Sequence, residues 1–218
     1  MKTTTTLTLF LLTLFVSCGT RNENVRIQWV DDLQGDFSFT QKWSYGENIF
    51  LNQFGQLVCD GLCDEALDDM RDMNGRILKD SLSRYYQLVD TTHFYHSISS
   101  QAQCYEWAGT DFAIAYRVGD TVRCYTLCNV ATHSSLQLSI INNECIPQIE
   151  LNSVSPSGLQ YFSYKSGTIS IDSRMWKKGI LKAEFDFMFD DPDNTEEPMW
   201  WKGRIYTRIG DSDKADSL

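Results

Sequence analysis

The sequence predicts a mainly β fold: a single antiparallel β-sheet or sandwich-like domain with one or two short helices between residues 64 and 90. Three observations carry this. Runs rich in branched and aromatic residues alternate with polar ones, the period of a half-buried strand. Turn residues such as Gly35-Asp36, Gly46-Glu47-Asn48 and Gly119-Asp120 punctuate those runs. Only residues 64–90 repeatedly place apolar side chains at helical spacing. The 218 residues suffice for one sizeable core, and no internal repeat or long linker divides them.

Taken in order, "VRIQWV" (25–30), "DFSFTQKW" (36–43, Phe37 and Phe39 alternating with Ser38 and Thr40) and "IFLN" (49–52) read as strands. Asp64 is placed to cap "EALDDMRDM", where Ala66, Leu67, Met70 and Met73 recur at helical intervals before Asn74-Gly75 ends the run. After Asp80, residues Leu82, Tyr85, Tyr86 and Val89 fit one face of a second helix. From residue 93 the strands return as "HFYHSIS", "QCYEWA", "FAIAYRV", "TVRCYTLC" and "SLQLSII". Gly119-Asp120 joins the third and fourth of these in a hairpin, and Leu136, Leu138 and Ile140 share a face of the fifth. Asp172 caps a single turn, "SRMWKK", that Gly179 stops.

The last hairpin is legible down to its register. In "ILKAEFDFMF" Leu181, Ala183, Phe185, Phe187 and Phe189 point one way, and Lys182, Glu184 and Asp186 the other. In "MWWKGRIYTRI" Trp201, Ile205 and Ile209 oppose Lys202, Arg204 and Arg208. Pairing Phe189 with Met199 sets Asp186 against Lys202, Glu184 against Arg204, Phe185 against Gly203 and Phe187 against Trp201. Charge and packing then agree.

The first twenty residues follow a different logic. Lys2 and a threonine run precede an apolar stretch, Leu7 to Val16, about half the ~20 residues a membrane-spanning helix needs. The pattern is that of a secretory signal. Phe15-Val16-Ser17-Cys18 resembles the lipobox of bacterial lipoproteins, with Phe15 where Leu is usual. The resemblance implies that residues 1–17 are removed as a signal peptide and that Cys18 is acylated and becomes the first residue. It further implies that Gly19, in place of Asp, directs the protein to the outer membrane. It covers these residues alone. Two or more acyl chains hold a protein on a membrane durably, at about 0.8 kcal/mol per buried methylene. Residues 18–24 are then a lipidated tether, 25–209 the β-rich ectodomain and 210–218 a polar tail.

Loss of residues 1–17 removes Lys2 and leaves 18 basic residues against 29 acidic, a balance of −11. Such a chain is a poor fit to nucleic acid, whose phosphates require clustered Lys and Arg. Its expected partners are the membrane, through the anchor, and a protein or glycan. No Gly-rich phosphate loop, GxSxG elbow or other cofactor motif is present, so no cofactor is expected.

Of seven cysteines the lipid claims Cys18. Cys59, Cys63, Cys104, Cys124, Cys128 and Cys145 remain, an even number in an oxidising compartment, which predicts up to three disulfides. The pairs "CDGLC" and "CYTLC" suggest Cys59 facing Cys128 as Cys63 faces Cys124, against a local Cys59–Cys63 loop. Their spacing matches neither a thioredoxin-like motif nor a usual structural zinc site.

Candidate chemistry is sparse. Glu106 and Asp111 in "CYEWAGTDF" offer two carboxylates near aromatics, the raw material of a glycosidase. His93 and His96 point to opposite sides of an expected strand, which disfavours a shared metal; His133 is the third imidazole. The loop "DDPDNTEEP" (190–198) is acidic but lacks the glycine of a calcium loop. Of the six tryptophans most are expected in the core. Trp200, on the polar face beside Lys202 and Arg204, is the expected ligand contact. These features favour a non-catalytic binding or structural module over an immunity or inhibitor protein for a basic partner, and both over an envelope or carbohydrate hydrolase using Glu106, Asp111 or His93.

Overall fold

The computed structural model describes residues 23–46, 48–59, 61, 63–156, 158–191 and 198–211. The expected signal peptide, Cys18, most of the expected tether, residues 212–218 of the expected tail and residues 192–197 of the acidic loop lie outside the described residues. Strands β1 (Val25–Arg26) and β2 (Gln28–Val30) come first, then β3 (Trp43–Ser44), β4 (Ile49–Leu51) and β5 (Leu57–Cys59). Helix α1 (Leu82–Leu88) precedes β6 (Phe94–Tyr95), β7 (Ile98–Gln103), β8 (Phe112–Val118), β9 (Thr121–Leu127), β10 (Ser134–Ile141), β11 (Glu144–Asn152) and β12 (Leu159–Asp172). Helix α2 (Ser173–Trp176), β13 (Ile180–Phe189) and β14 (Met199–Asp211) follow.

From β8 to β14 each strand pairs antiparallel with the next, and the C-terminal end of β14 (Ile209–Asp211) pairs parallel with Ala115–Arg117 of β8. This closes a seven-stranded barrel and removes most of its edges. The opposite end of β14 (Trp200–Ile205) pairs instead with β7, so β7 splays off the barrel as an extra strand. Ile27 separates β1, which pairs with β11, from β2, which pairs with β12.

The barrel interior is filled. Leu136, Leu138 and Ile140 of β10, Ile149 of β11, Ile169 and Ile171 of β12, Phe187 and Phe189 of β13 and Trp201 of β14 are fully or almost fully buried together. Small residues on β8, Ala113 and Ala115, share this core with the bulky rings. Burying each large side chain contributes about 1.5–3 kcal/mol, so these positions are the main source of stability. A packed lumen also leaves no space among these residues for a ligand in the barrel axis. Gly167, with φ of +137°, sits beside an irregularity in β12 where a Cβ would lie 2.0 Å from the Asp186 carbonyl. Only glycine allows that approach.

A second, smaller core of Ile49, Cys59, Leu67, Met70 and Tyr85 lies under the β4–β5 hairpin and α1. One disulfide, Cys59–Cys63, staples it. It joins the barrel through the Asn48 amide, which donates to the Asn129 carbonyl at 2.7 Å.

Several sequence expectations are corrected. Residues 36–42 do not form a strand, and only Trp43 of the expected run does, in β3: the Asp36 carboxylate accepts from the Ser38 amide at 2.9 Å and nucleates a 3-10 turn over Ser38–Gln41 that buries Phe39. The run after Asp64 is capped as expected, the Asp64 carboxylate accepting from the Ala66 amide at 2.8 Å, but it forms a 3-10 helix, Glu65–Met70. Three residues per turn aligns Leu67 with Met70, and the helix ends at Met70, so Met73 lies beyond it and is 97% exposed. "QCYEWA" leaves the sheet at Gln103, and Glu106 adopts φ of +56°. β14 extends to Asp211, past the expected boundary at 209.

Of the up to three disulfides expected, one is present among the described residues, Cys59–Cys63, and Cys104, Cys124, Cys128 and Cys145 are free. Cys59 bonds its neighbour in sequence, not Cys128, whose Sγ donates to the Ala131 carbonyl. Cys124 and Cys145 both point into the barrel core, but β10 lies between their strands. At ~4.8 Å per strand their backbones lie about 9 Å apart or more, beyond the ~7 Å a disulfide tolerates.

Candidate functional site

Barrel topology sorts the loops into two ends. The Gly119-Asp120 and Asn142-Asn143 turns, α2 and the end of β14 lie at one, called here the turn end; Arg26 pairs with Glu144 close to it, so the first described strand begins nearby. The other, the loop end, gathers the segments after β7, β9, β11 and β13.

At the loop end Glu106 meets residues far away in sequence. Its carboxylate accepts from His133 Nδ1, from Ser153 Oγ at 2.5 Å and from the Val154 amide at 3.4 Å. These hydrogen bonds, that of Ser153 first and then that of His133, hold the Glu106 carboxyl below its ordinary range. The next residue, Trp107, is fixed by its backbone: its carbonyl accepts from the amides of His133 at 2.9 Å and Ser134 at 2.8 Å. The Ser134 hydroxyl donates to the Tyr105 carbonyl. The indole of Trp107 packs edge-on to His133, with centroids 5.3 Å apart, and remains 60% exposed. Val154 (81%) and Val130 (48%) on the neighbouring loops are exposed as well. Asp191, which accepts from the Tyr105 hydroxyl at 2.8 Å, and the adjacent Asp190 bring acidic charge to this end.

The loop end brings Glu106 together with His133, not with Asp111. Asp111 accepts instead from the Asn129 amide at 3.1 Å, so the two carboxylates have separate partners. Glu106 is engaged by three donors, which favour its ionised, accepting form. His93 is exposed on another surface, its ring 4.5 Å from that of Trp43 and 6.0 Å from that of Tyr95. His96 rests against Phe112. Among the described residues no group of three or more His, Cys, Asp and Glu side chains converges as a metal site would require, and no helix is long and apolar enough to cross a membrane.

The second surface is the outer face of β7, β14, β13 and β12. The expected register of the last hairpin is found in full: Phe189 with Met199, Phe187 with Trp201, Asp186 with Lys202, Phe185 with Gly203 and Glu184 with Arg204. Adding the neighbouring strands gives two polar rows, Gln101-Lys202-Asp186-Thr168 and Ser99-Arg204-Glu184-Ser170. They line a groove of about 560 Å³. Arg204 donates to Glu184 at 2.6 Å. Lys202 turns from Asp186 and rests over the Trp200 ring, 4.8 Å from its centroid, while Trp200 Nε1 donates to Gln103 at 2.8 Å. Trp200 therefore borders the groove with one face already covered. Of the tryptophans only Trp201 is fully buried, and Trp43 and Trp107 are exposed, so the expectation of a mostly buried set is corrected.

No protein-family model, curated protein or solved structure matches the chain.

Proposed function

We propose that this chain is a lipoprotein of the outer membrane, tethered through acylated Cys18, that binds a protein partner without catalysis through the loop end of its barrel. The lipobox-like run supports the anchor. The nearness of β1 to the turn end supports the orientation, since a tether leaving there directs the loop end away from the membrane.

The observation that carries the binding role is Trp107. A large indole is left in water although the backbone beneath it is fixed by two amide donors and by the strained, triply bonded Glu106 next to it. A rigid, exposed aromatic loses little entropy on docking and is the usual anchor of an interface hot spot. Val130 and Val154 extend the apolar contact, and the acidic surroundings select and steer a basic partner. Inhibition of such a partner is a natural use of the same surface.

The test is capture from cell-envelope extract by the full chain and by Trp107→Ala. The proposal expects one protein retained by the wild type, lost with Trp107→Ala and weakened at high salt. Equal capture by both chains would contradict it.

A further inference from the structure

We propose that the groove on the outer face of β7, β14, β13 and β12 is a second binding site, distinct from the loop end, for an uncharged oligosaccharide chain. Lys202 and Arg204 on β14 are matched by Asp186 and Glu184 on β13, so the groove carries no net charge to attract an ion. Its remaining lining is hydroxyl and amide: Ser99, Ser100, Gln101, Thr168 and Ser170. The inward-facing Phe185 is buried and leaves the floor no apolar platform for a greasy ligand. The surface selects a neutral ligand rich in hydroxyl groups.

One acceptor is left open within this array. Asp186 faces Lys202 in register, but the Trp200 ring holds the ammonium elsewhere, and no described residue donates to the Asp186 carboxylate. An ionised carboxylate accepts at up to about four positions and can take two neighbouring hydroxyls of one sugar. Arg204, fixed by Glu184, presents further donors at the adjacent row. The rows cross four strands at ~4.8 Å spacing, giving a path of roughly 14 Å. That length and the 560 Å³ volume suit a few linked sugar units rather than a monosaccharide. The indole of Trp200 borders this path and supplies an aromatic edge for a ring at its end.

The experiment screens the detergent-solubilised full-length chain against neutral cello-, malto-, manno-, xylo- and chito-oligosaccharides of one to six units, with affinities then measured by calorimetry. The proposal expects binding by at least one series, stronger for trimers than for monomers, at least tenfold weaker in Asp186→Asn and weaker in Thr168→Ala. Both substitutions lie on the outer face of the barrel and leave its core intact. Trp107→Ala is expected to bind the sugar unchanged, which separates this site from the loop end. Absence of binding in every series at millimolar concentration would overturn the proposal, as would an unaltered affinity in Asp186→Asn.

Discussion

Asp186 and Lys202 face each other across β13 and β14, yet the Lys202 ammonium lies over the Trp200 ring rather than against the carboxylate. A cation over an exposed indole contributes about 0.5–1 kcal/mol, comparable to the ~0.2–1 kcal/mol of an exposed ion pair, so a single neighbouring ring decides where the charge rests. A double-mutant cycle should give Trp200 and Lys202 a coupling of about 0.5–1 kcal/mol. The Asp186–Lys202 coupling should be near zero in the wild type and become measurable in Trp200→Ala, where the lysine is released.

Tyr85 is fully buried in the smaller core, and its hydroxyl finds no hydrogen-bond partner. A buried hydroxyl without a partner costs about 1–3 kcal/mol. Tyr85→Phe removes that cost and keeps the ring, so denaturant unfolding should show a stabilisation of about 1 kcal/mol. A loss of stability would mean that the hydroxyl has a bonding role.

Burial in the barrel core pushes the Cys124 thiol up to about 12 and raises that of Cys145 as well. Neither supplies thiolate at pH 8, so both should resist iodoacetamide until the barrel unfolds, while half-buried Cys128 reacts first. Linkage has a definite sign here. The raised thiols contribute stability that is complete below the unfolded value of ~8.5, and it falls as pH climbs from there toward 12.

Glu106 has the opposite dependence. Its carboxyl is depressed by the Ser153 and His133 hydrogen bonds, so its contribution is present above the unfolded value of ~4.3 and is lost as pH falls through the lower folded value. Glu106→Gln should unfold with a weaker acid dependence below pH ~4.3. Amide exchange at Val154 should quicken in the variant even at neutral pH, because that amide loses its carboxylate acceptor.

Gly167→Ala sets a Cβ 2.0 Å from the Asp186 carbonyl at a φ of +137°. Backbone strain and overpacking together should cost roughly 2–4 kcal/mol. Thermal unfolding measures this, and a change within experimental error would mean that β12 shifts to accommodate the methyl.

The sequence reveals what is local and periodic. The β13–β14 register was legible because alternation and opposite charges agree on one pairing, and Asp64 and Asp172 were legible as caps because a short side chain before a helical run has one obvious use. Closure of the barrel was not, since β14 divides its edge between β7 and β8, a choice made by tertiary packing. The alternation of Phe37 and Phe39 misleads because Asp36 starts a turn that competes with the strand. Glu106 was visible as a carboxylate near aromatics. Its partners, His133 and Ser153, lie 27 and 47 residues away and meet it only through the barrel's loop end. The even cysteine count suggested bridges, but strand separation in the folded barrel keeps Cys124 and Cys145 apart.

The most direct test of the account is photocrosslinking in the envelope of the producing cell, with a photoreactive residue placed at position 107 or, at the opposite end of the barrel, at position 141. The account predicts a discrete protein adduct from position 107 and none from position 141. An adduct from 141 alone, with 107 silent, would contradict it.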